Sequence, residues 1–201
     1  MKRSTEDMRA FIAVDLSDAI RTQIATLQQE LASLGLQGTL KFVDPKQAHQ
    51  TVKFLGEVPD ELIERIKEAL AALRHEPFEI RLRGVGFFPQ AAQEKARTIR
   101  VIWVGIVEGG AQLKTLQEGV ESALHALGFP PEQRFNVHVT LCRVKKPFRS
   151  KSELSRVLLK IAELRAADAG TMRVEALKLK KSTLTPRGPI YEDLYVKSLE
   201  G

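Results

Sequence analysis

The 201-residue sequence has a single cysteine, Cys142, no long apolar run and no Gly/Ser-rich linker. Each absence removes a class of protein. One cysteine excludes an intrachain disulfide and suits a reducing, cytoplasmic compartment. A membrane-spanning helix needs roughly 18 or more apolar residues in a row, and nothing here comes near that. The opening MKRSTEDMRAFIAVDL is not a signal peptide, because its apolar stretch is short and is interrupted by Asp15. Residues 1–7 are polar and read as a flexible leader. HxH, DxD and HxxxH elements are also missing, so the clustered ligands of a metal site are not expected. Without a linker, the chain reads as one domain over 1–201, and a monomer is expected.

What is present is basic and well mixed. The net charge is +6 and the sequence pI about 9.5. That balance favours an anionic partner, of which nucleic acid is the commonest, although many basic surfaces are simply solvated. With 43% hydrophobic and 28% charged residues the composition is that of a soluble globular protein. The length allows one large domain or two small lobes.

Periodicity supplies the elements. Arg9 to Val14 is a short strand, and Ser17 caps a helix whose apolar residues are Ile20, Ile24, Leu27, Leu31 and Leu34. Lys41 to Val43 and His49 to Leu55 read as strands around an Asp44-Pro45 turn. A second helix opens at Pro59-Asp60 and carries Leu62, Ile63, Ile66, Leu70 and Leu73. Phe78 to Val85 alternates like a half-exposed strand, Gly86 to Arg97 reads as a loop, and Thr98 to Val107 as an apolar strand. The second half repeats this order: a helix from Leu113 to Leu127, a strand from Phe135 to Val144, and a helix from about Ser152 to Ala166. Met172 to Lys180 and Ile190 to Leu199 are the closing strands. The mixture lacks a regular βαβ rhythm, which predicts an α+β fold.

Two segments carry chemistry. HQTVKFLGEV begins at His49 and HVTLCRVKKP at His138, so a His-x-Thr-apolar motif occurs at 49–52 and again at 138–141. The contexts match, which suggests an internal duplication with one copy per lobe. In a strand, positions i and i+2 share a face. His49 therefore points with Thr51, and His138 with Thr140, while Val52 and Leu141 point into the core. Imidazole titrates near neutrality, so two of them can act as acid and base in one turnover. Two threonine hydroxyls can hold the oxygens of a phosphate. A lone His-x-Thr on a strand is commonly chance; two in matching contexts are harder to dismiss. His75 and His125 read as ordinary surface residues.

The paired motifs resemble the 2H phosphoesterase superfamily, most closely its RNA 2',3'-cyclic phosphodiesterase (2'-5' RNA ligase) branch. RAFIAVDL is similar to that family's opening strand, and KKSTLTPRGPIYE, Lys180 to Glu192, to its C-terminal segment. The resemblance spans nearly the whole chain. It implies a bilobal α+β fold with two pseudo-symmetric lobes, each an antiparallel sheet with helices, around a central cleft. It also implies metal-free, cofactor-free hydrolysis of a 2',3'-cyclic phosphate, on an RNA end or a small cyclic nucleotide, to a 2'-phosphate. His49 would be the proton donor and His138 the acceptor, with Thr51 and Thr140 on the phosphate. The fifth residue after each histidine is implicated too: Phe54 as a base-stacking platform and Arg143 as a phosphate contact.

That last implication conflicts with flat-strand geometry. An offset of five has the wrong parity, so Lys53 and Cys142 should share the histidines' face unless a bulge or strand end re-aims the chain. Lys53 could add positive potential to the cleft, while Cys142 reads as a small buried hydrophobe. Core packing remains the alternative for Phe54, and a solvated charge for Arg143. At the level of function the rivals are a metal-dependent phosphodiesterase, a non-catalytic module that binds RNA ends by charge and stacking, and the reverse reaction, 2'-5' joining of RNA ends.

Overall fold

The computed structural model describes residues 7–90, 97–186 and 188–200. Nearly all of the expected 1–7 leader, and much of the expected 86–97 loop, lie outside the described residues. In chain order the elements are β1 (Met8–Asp15), α1 (Asp18–Ala32), β2 (Leu40–Phe42), β3 (His49–Val58), α2 (Asp60–Ala71), β4 (Phe78–Phe88), β5 (Val101–Glu108), α3 (Gly110–His125), β6 (His138–Val144), α4 (Lys151–Glu163), β7 (Asp168–Val174), β8 (Ala176–Thr185) and β9 (Gly188–Ser198). Among the described residues they form a four-stranded sheet, β3-β1-β8-β9, and a five-stranded sheet, β2-β6-β5-β4-β7. Neighbouring strands run antiparallel throughout. The α+β expectation with two antiparallel sheets is met.

Serines cap two of the helix starts. Ser17 accepts the N–H of Ile20 at the head of α1, and Ser150 accepts that of Glu153 at the head of α4. The apolar stripe of α1, Ile20, Ile24, Leu27 and Leu31, is buried, as is that of α3, Leu113, Leu116, Val120 and Leu124. α1 packs on β6 and β7, and α4 on α1 and β4, so both cover the five-stranded sheet. α3 packs on β3 and α2 on α3 and β9, covering the four-stranded sheet. A single core cluster runs through both layers.

The lobes are not the two halves of the chain. α1 follows β1 directly yet covers the other sheet, and β8 and β9 return from the C-terminus to complete the sheet of β1 and β3. The two motif strands still separate cleanly: β3 lies in one sheet and β6 in the other. Local differences from the sequence reading are small. The Met172–Lys180 run is broken at Glu175 between β7 and β8, β4 continues to Phe88, and β6 begins at His138 rather than Phe135.

Candidate active site

Each motif strand contains a β-bulge at the same position. In β3, Thr51 and Lys53 oppose the consecutive residues Ala13 and Ile12 of β1, which leaves Val52 as an extra residue. In β6, Thr140 and Cys142 oppose Trp103 and Ile102 of β5, which leaves Leu141 extra. The bulge reverses side-chain parity. His49 and Thr51 on β3 are followed on the same side by exposed Phe54, while Val52 and Lys53 are both buried. His138 and Thr140 on β6 are followed by exposed Arg143, while Leu141 and Cys142 are both buried. A bulge gives up about one ladder hydrogen bond, worth roughly 1 kcal/mol. Burying an extra aliphatic side chain returns about 1.5–3 kcal/mol, so packing of Val52 and Leu141 outweighs the loss.

The flat-strand expectation for Lys53 is therefore corrected. Its ammonium points away from the histidines and is 1% exposed. There it meets the Glu121 carboxylate of α3 at 2.6 Å and the Pro130 carbonyl at 2.8 Å. Cys142 is buried, and burial pushes its thiol up to about 12. Phe54 is not core: it is 60% exposed, and its own N–H is held by the Glu132 carboxylate at 2.8 Å.

Both imidazoles are fixed in the same way. Nδ1 of His49 donates to the Gln47 carbonyl at 2.8 Å, and Nδ1 of His138 to the Asn136 carbonyl at 3.0 Å. A carbonyl only accepts, so Nδ1 carries the proton and the lone pair of the neutral ring resides on Nε2. Aromatic rings from other strands of the same sheet press on each imidazole. Phe11 and Tyr191 lie 4.9 and 5.3 Å from His49, centroid to centroid. Phe88 meets His138 edge-on at 5.0 Å, and Trp103 lies 6.4 Å away. Trp103 crosses Gly86 so closely that a methyl group there would overlap its ring.

This packing sets the electrostatics. Burial, the largest influence, pushes both histidines below 6.5. Their backbone carbonyl partners oppose the shift. Arg143 lowers both and also acts on Tyr191, which belongs to the other sheet. The two motif strands are in contact, and the Arg143 charge acts on both histidines. Asp15, the register partner of His49, raises His49 alone, and Lys180 partly offsets it.

Two buried amides tie this arrangement together. Gln50, 1% exposed, reaches from β3 to the start of β6: its oxygen accepts the His138 backbone N–H at 2.7 Å, and its nitrogen donates to the Asn136 carbonyl at 3.3 Å. Gln28 of α1 donates to the Leu141 carbonyl at 2.8 Å and so holds the second bulge. Sequence reasoning missed both glutamines, as well as Phe11, Phe88, Trp103 and Tyr191. Phe11, Gln50 and Tyr191 did lie in segments with a family resemblance, RAFIAVDL, HQTVKFLGEV and KKSTLTPRGPIYE. Among the described residues no group of three or more His, Cys, Asp or Glu side chains could hold a metal ion. No helix among them is long and apolar enough to cross a membrane.

The family model described as LigT like phosphoesterase matches the chain twice, over residues 14–103 and 104–191. An RNA 2',3'-cyclic phosphodiesterase of Methanothermobacter thermautotrophicus is 40% identical over 191 residues, 94% of this chain and 97% of its own. One of the same name from Archaeoglobus fulgidus is 39% identical, covering 94% and 99%. A crystal structure of a Thermus thermophilus protein superposes with a TM-score of 0.75 at 30% identity, covering 96% of this chain and 99% of the other. The structure of E. coli LigT complexed with 3'-AMP has the same fold, with a TM-score of 0.74 at 22% identity over 98% and 100% of the two chains.

Proposed function

The chain belongs to the LigT-like phosphoesterase family, and we propose that it opens 2',3'-cyclic phosphodiester ends of RNA to 2'-phosphomonoesters by acid–base catalysis between His49 and His138. The observation that carries this reading is the matched pair of bulges. They turn Phe54 and Arg143 to the side of their strands that carries His49 with Thr51 and His138 with Thr140. Its relatives' shared name, RNA 2',3'-cyclic phosphodiesterase, supports the choice of substrate.

His138 takes the proton of the attacking water through Nε2, and His49 delivers a proton to the departing O3'. The alkoxide is a poor leaving group, so acid assistance lowers the barrier. Asp15 supports this order. It favours a protonated His49 and gives His138 no such help. Thr51, Thr140 and Arg143 hold the phosphate oxygens, and charge-assisted contacts from Arg143 strengthen as negative charge gathers in the transition state. Phe54 stacks the terminal base. The chemistry needs no metal or cofactor in this reading, and the same site can run 2'-5' joining in reverse.

The test is product analysis of an oligoribonucleotide with a 2',3'-cyclic end, with and without EDTA. A 2'-phosphate formed in both conditions is expected. A 3'-phosphate would reverse which oxygen leaves and with it the two histidine roles. Loss of activity in EDTA would point to a metal. Tight binding without any turnover would leave a non-catalytic module for RNA ends.

A further inference from the structure

We infer that a basic pocket beside the cleft holds backbone phosphates of the RNA strand that leads to the cyclic end, so that the protein acts on RNA chains in preference to cyclic mononucleotides. This rests on the reading of the cleft given above and names its substrate class.

The pocket has a volume of about 430 Å³ and lies between the start of β5, the end of β6 and the head of α4. Arg97, Arg100, Lys145, Lys146 and Lys151 line it, and among the described residues no carboxylate does. Ile99 and Leu154 supply apolar surface, and Phe148 a half-buried ring. The five cations are exposed, and among the described residues none forms an ion pair. Elsewhere the protein does pair such groups: Lys178 and Lys180 both grip Asp15 and Asp193. The carboxylate nearest in sequence, Glu153, is taken up by the Arg149 backbone N–H at 2.8 Å. Like charges gathered without counter-charges repel one another, and a polyanion relieves that repulsion.

The backbone fixes this pocket to the cleft. Arg100 donates its N–H to the carbonyl of Phe88, whose ring abuts His138. The Arg100 carbonyl accepts the N–H of Val144, the residue after Arg143. Lys145 is two positions beyond Arg143, roughly 7 Å at the rise of a strand. A strand of RNA whose terminal phosphate sits between the histidines can therefore continue past Arg143 and lay its next phosphates on these cations. A cyclic mononucleotide cannot reach them.

The test compares a 2',3'-cyclic mononucleotide with a short oligoribonucleotide bearing the same end, using wild type and the triple variant Arg100→Gln, Lys146→Gln, Lys151→Gln. All three substitutions are at exposed positions that the mechanism does not use. For the wild type, kcat/KM on the oligonucleotide should fall with salt by about 0.7 log units per log unit for each phosphate engaged. The triple variant should lose about tenfold or more on the oligonucleotide through KM, flatten the salt slope by one unit or more, and leave the mononucleotide unchanged. Equal losses on both substrates, or none on the oligonucleotide, would overturn the inference. If the wild type turns over neither substrate, the reading of the cleft fails instead. The pocket is then decided by binding of a non-cyclic oligoribonucleotide: weaker binding by the variant supports it, and equal affinity sinks it.

Discussion

The side-chain oxygen of Gln50 accepts the backbone N–H of His138 at 2.7 Å, so a residue of the first motif positions the histidine of the second. The Gln50 nitrogen also donates to the Asn136 carbonyl, the same atom that holds Nδ1 of His138. Loss of the amide frees that carbonyl and leaves the His138 N–H unsatisfied. Gln50→Ala should destabilise the protein by about 1–3 kcal/mol. It should also lower kcat roughly 10- to 100-fold, the range for groups that orient a catalytic side chain. The limb of the pH profile that belongs to His138 should move as well. A variant with lower stability but unaltered kcat and pH profile would reduce Gln50 to a packing role.

The two histidines are only partly buried, unlike the residues that follow each threonine. His49→Ala and His138→Ala should fold as the wild type does and lose about 10²–10⁴ in kcat. Circular dichroism checks the fold, and single-turnover assays check the chemistry. Near-normal turnover by either variant would defeat the two-histidine scheme.

Both imidazoles lie below 6.5 in the free protein, burial being the main cause. The kcat/KM profile reports the free protein, so its optimum should lie on the acid side. A bound phosphate favours the protonated acid and should shift the kcat profile to higher pH. Superimposable profiles would contradict this. Stability follows the same sign. A histidine depressed in the folded state binds protons more readily when unfolded, so its contribution is full above pH 6.5 and is lost as pH falls through the folded-state value. A His49→Gln, His138→Gln variant should lose less stability between neutral and acid pH, which urea titrations at several pH values can show.

Arg143 depresses both histidines and is the proposed phosphate contact. Arg143→Ala should raise both imidazole pKa values, visible as a shift in their NMR titrations. It should also weaken substrate binding about 10- to 100-fold, the size of a charge-assisted hydrogen bond. An unchanged KM together with unshifted titrations would return Arg143 to the solvated surface.

Lys53 neighbours Phe54 in sequence but serves the interior. Lys53→Met removes the partner of Glu121, which keeps the Gln117 side chain and the Glu132 N–H. Breaking a buried pair costs about 3 kcal/mol, so the urea midpoint should drop while kcat stays unchanged. A loss of kcat at full stability would place the Lys53 charge in the cleft after all.

How far the sequence could be read depended on the range of each feature. The stripe of α1 and the cap at Ser17 involve residues within a few positions of one another, and they were legible. So was the His-x-Thr spacing. The strand face of Phe54 and Arg143 was not, because a bulge is a difference in residue count between two paired strands. It can be seen only against the partners, Ala13 and Ile12 in one case and Trp103 and Ile102 in the other.

The sequence by itself determined that the protein is α+β, that it carries two imidazole–hydroxyl pairs, and that it is basic enough to favour a polyanion. Local periodicity and composition suffice for those statements. Tertiary structure decided which residues join the histidines, that Lys53 turns inward, that Gln50 bridges the motifs, and that β8 and β9 complete the sheet begun by β1 and β3. Those outcomes depend on pairing register and on hydrogen bonds between residues far apart in sequence, such as Lys180 and Asp15, 165 positions apart. Side-chain parity within a single strand cannot carry that information, because the partner strand sets where the extra residue goes.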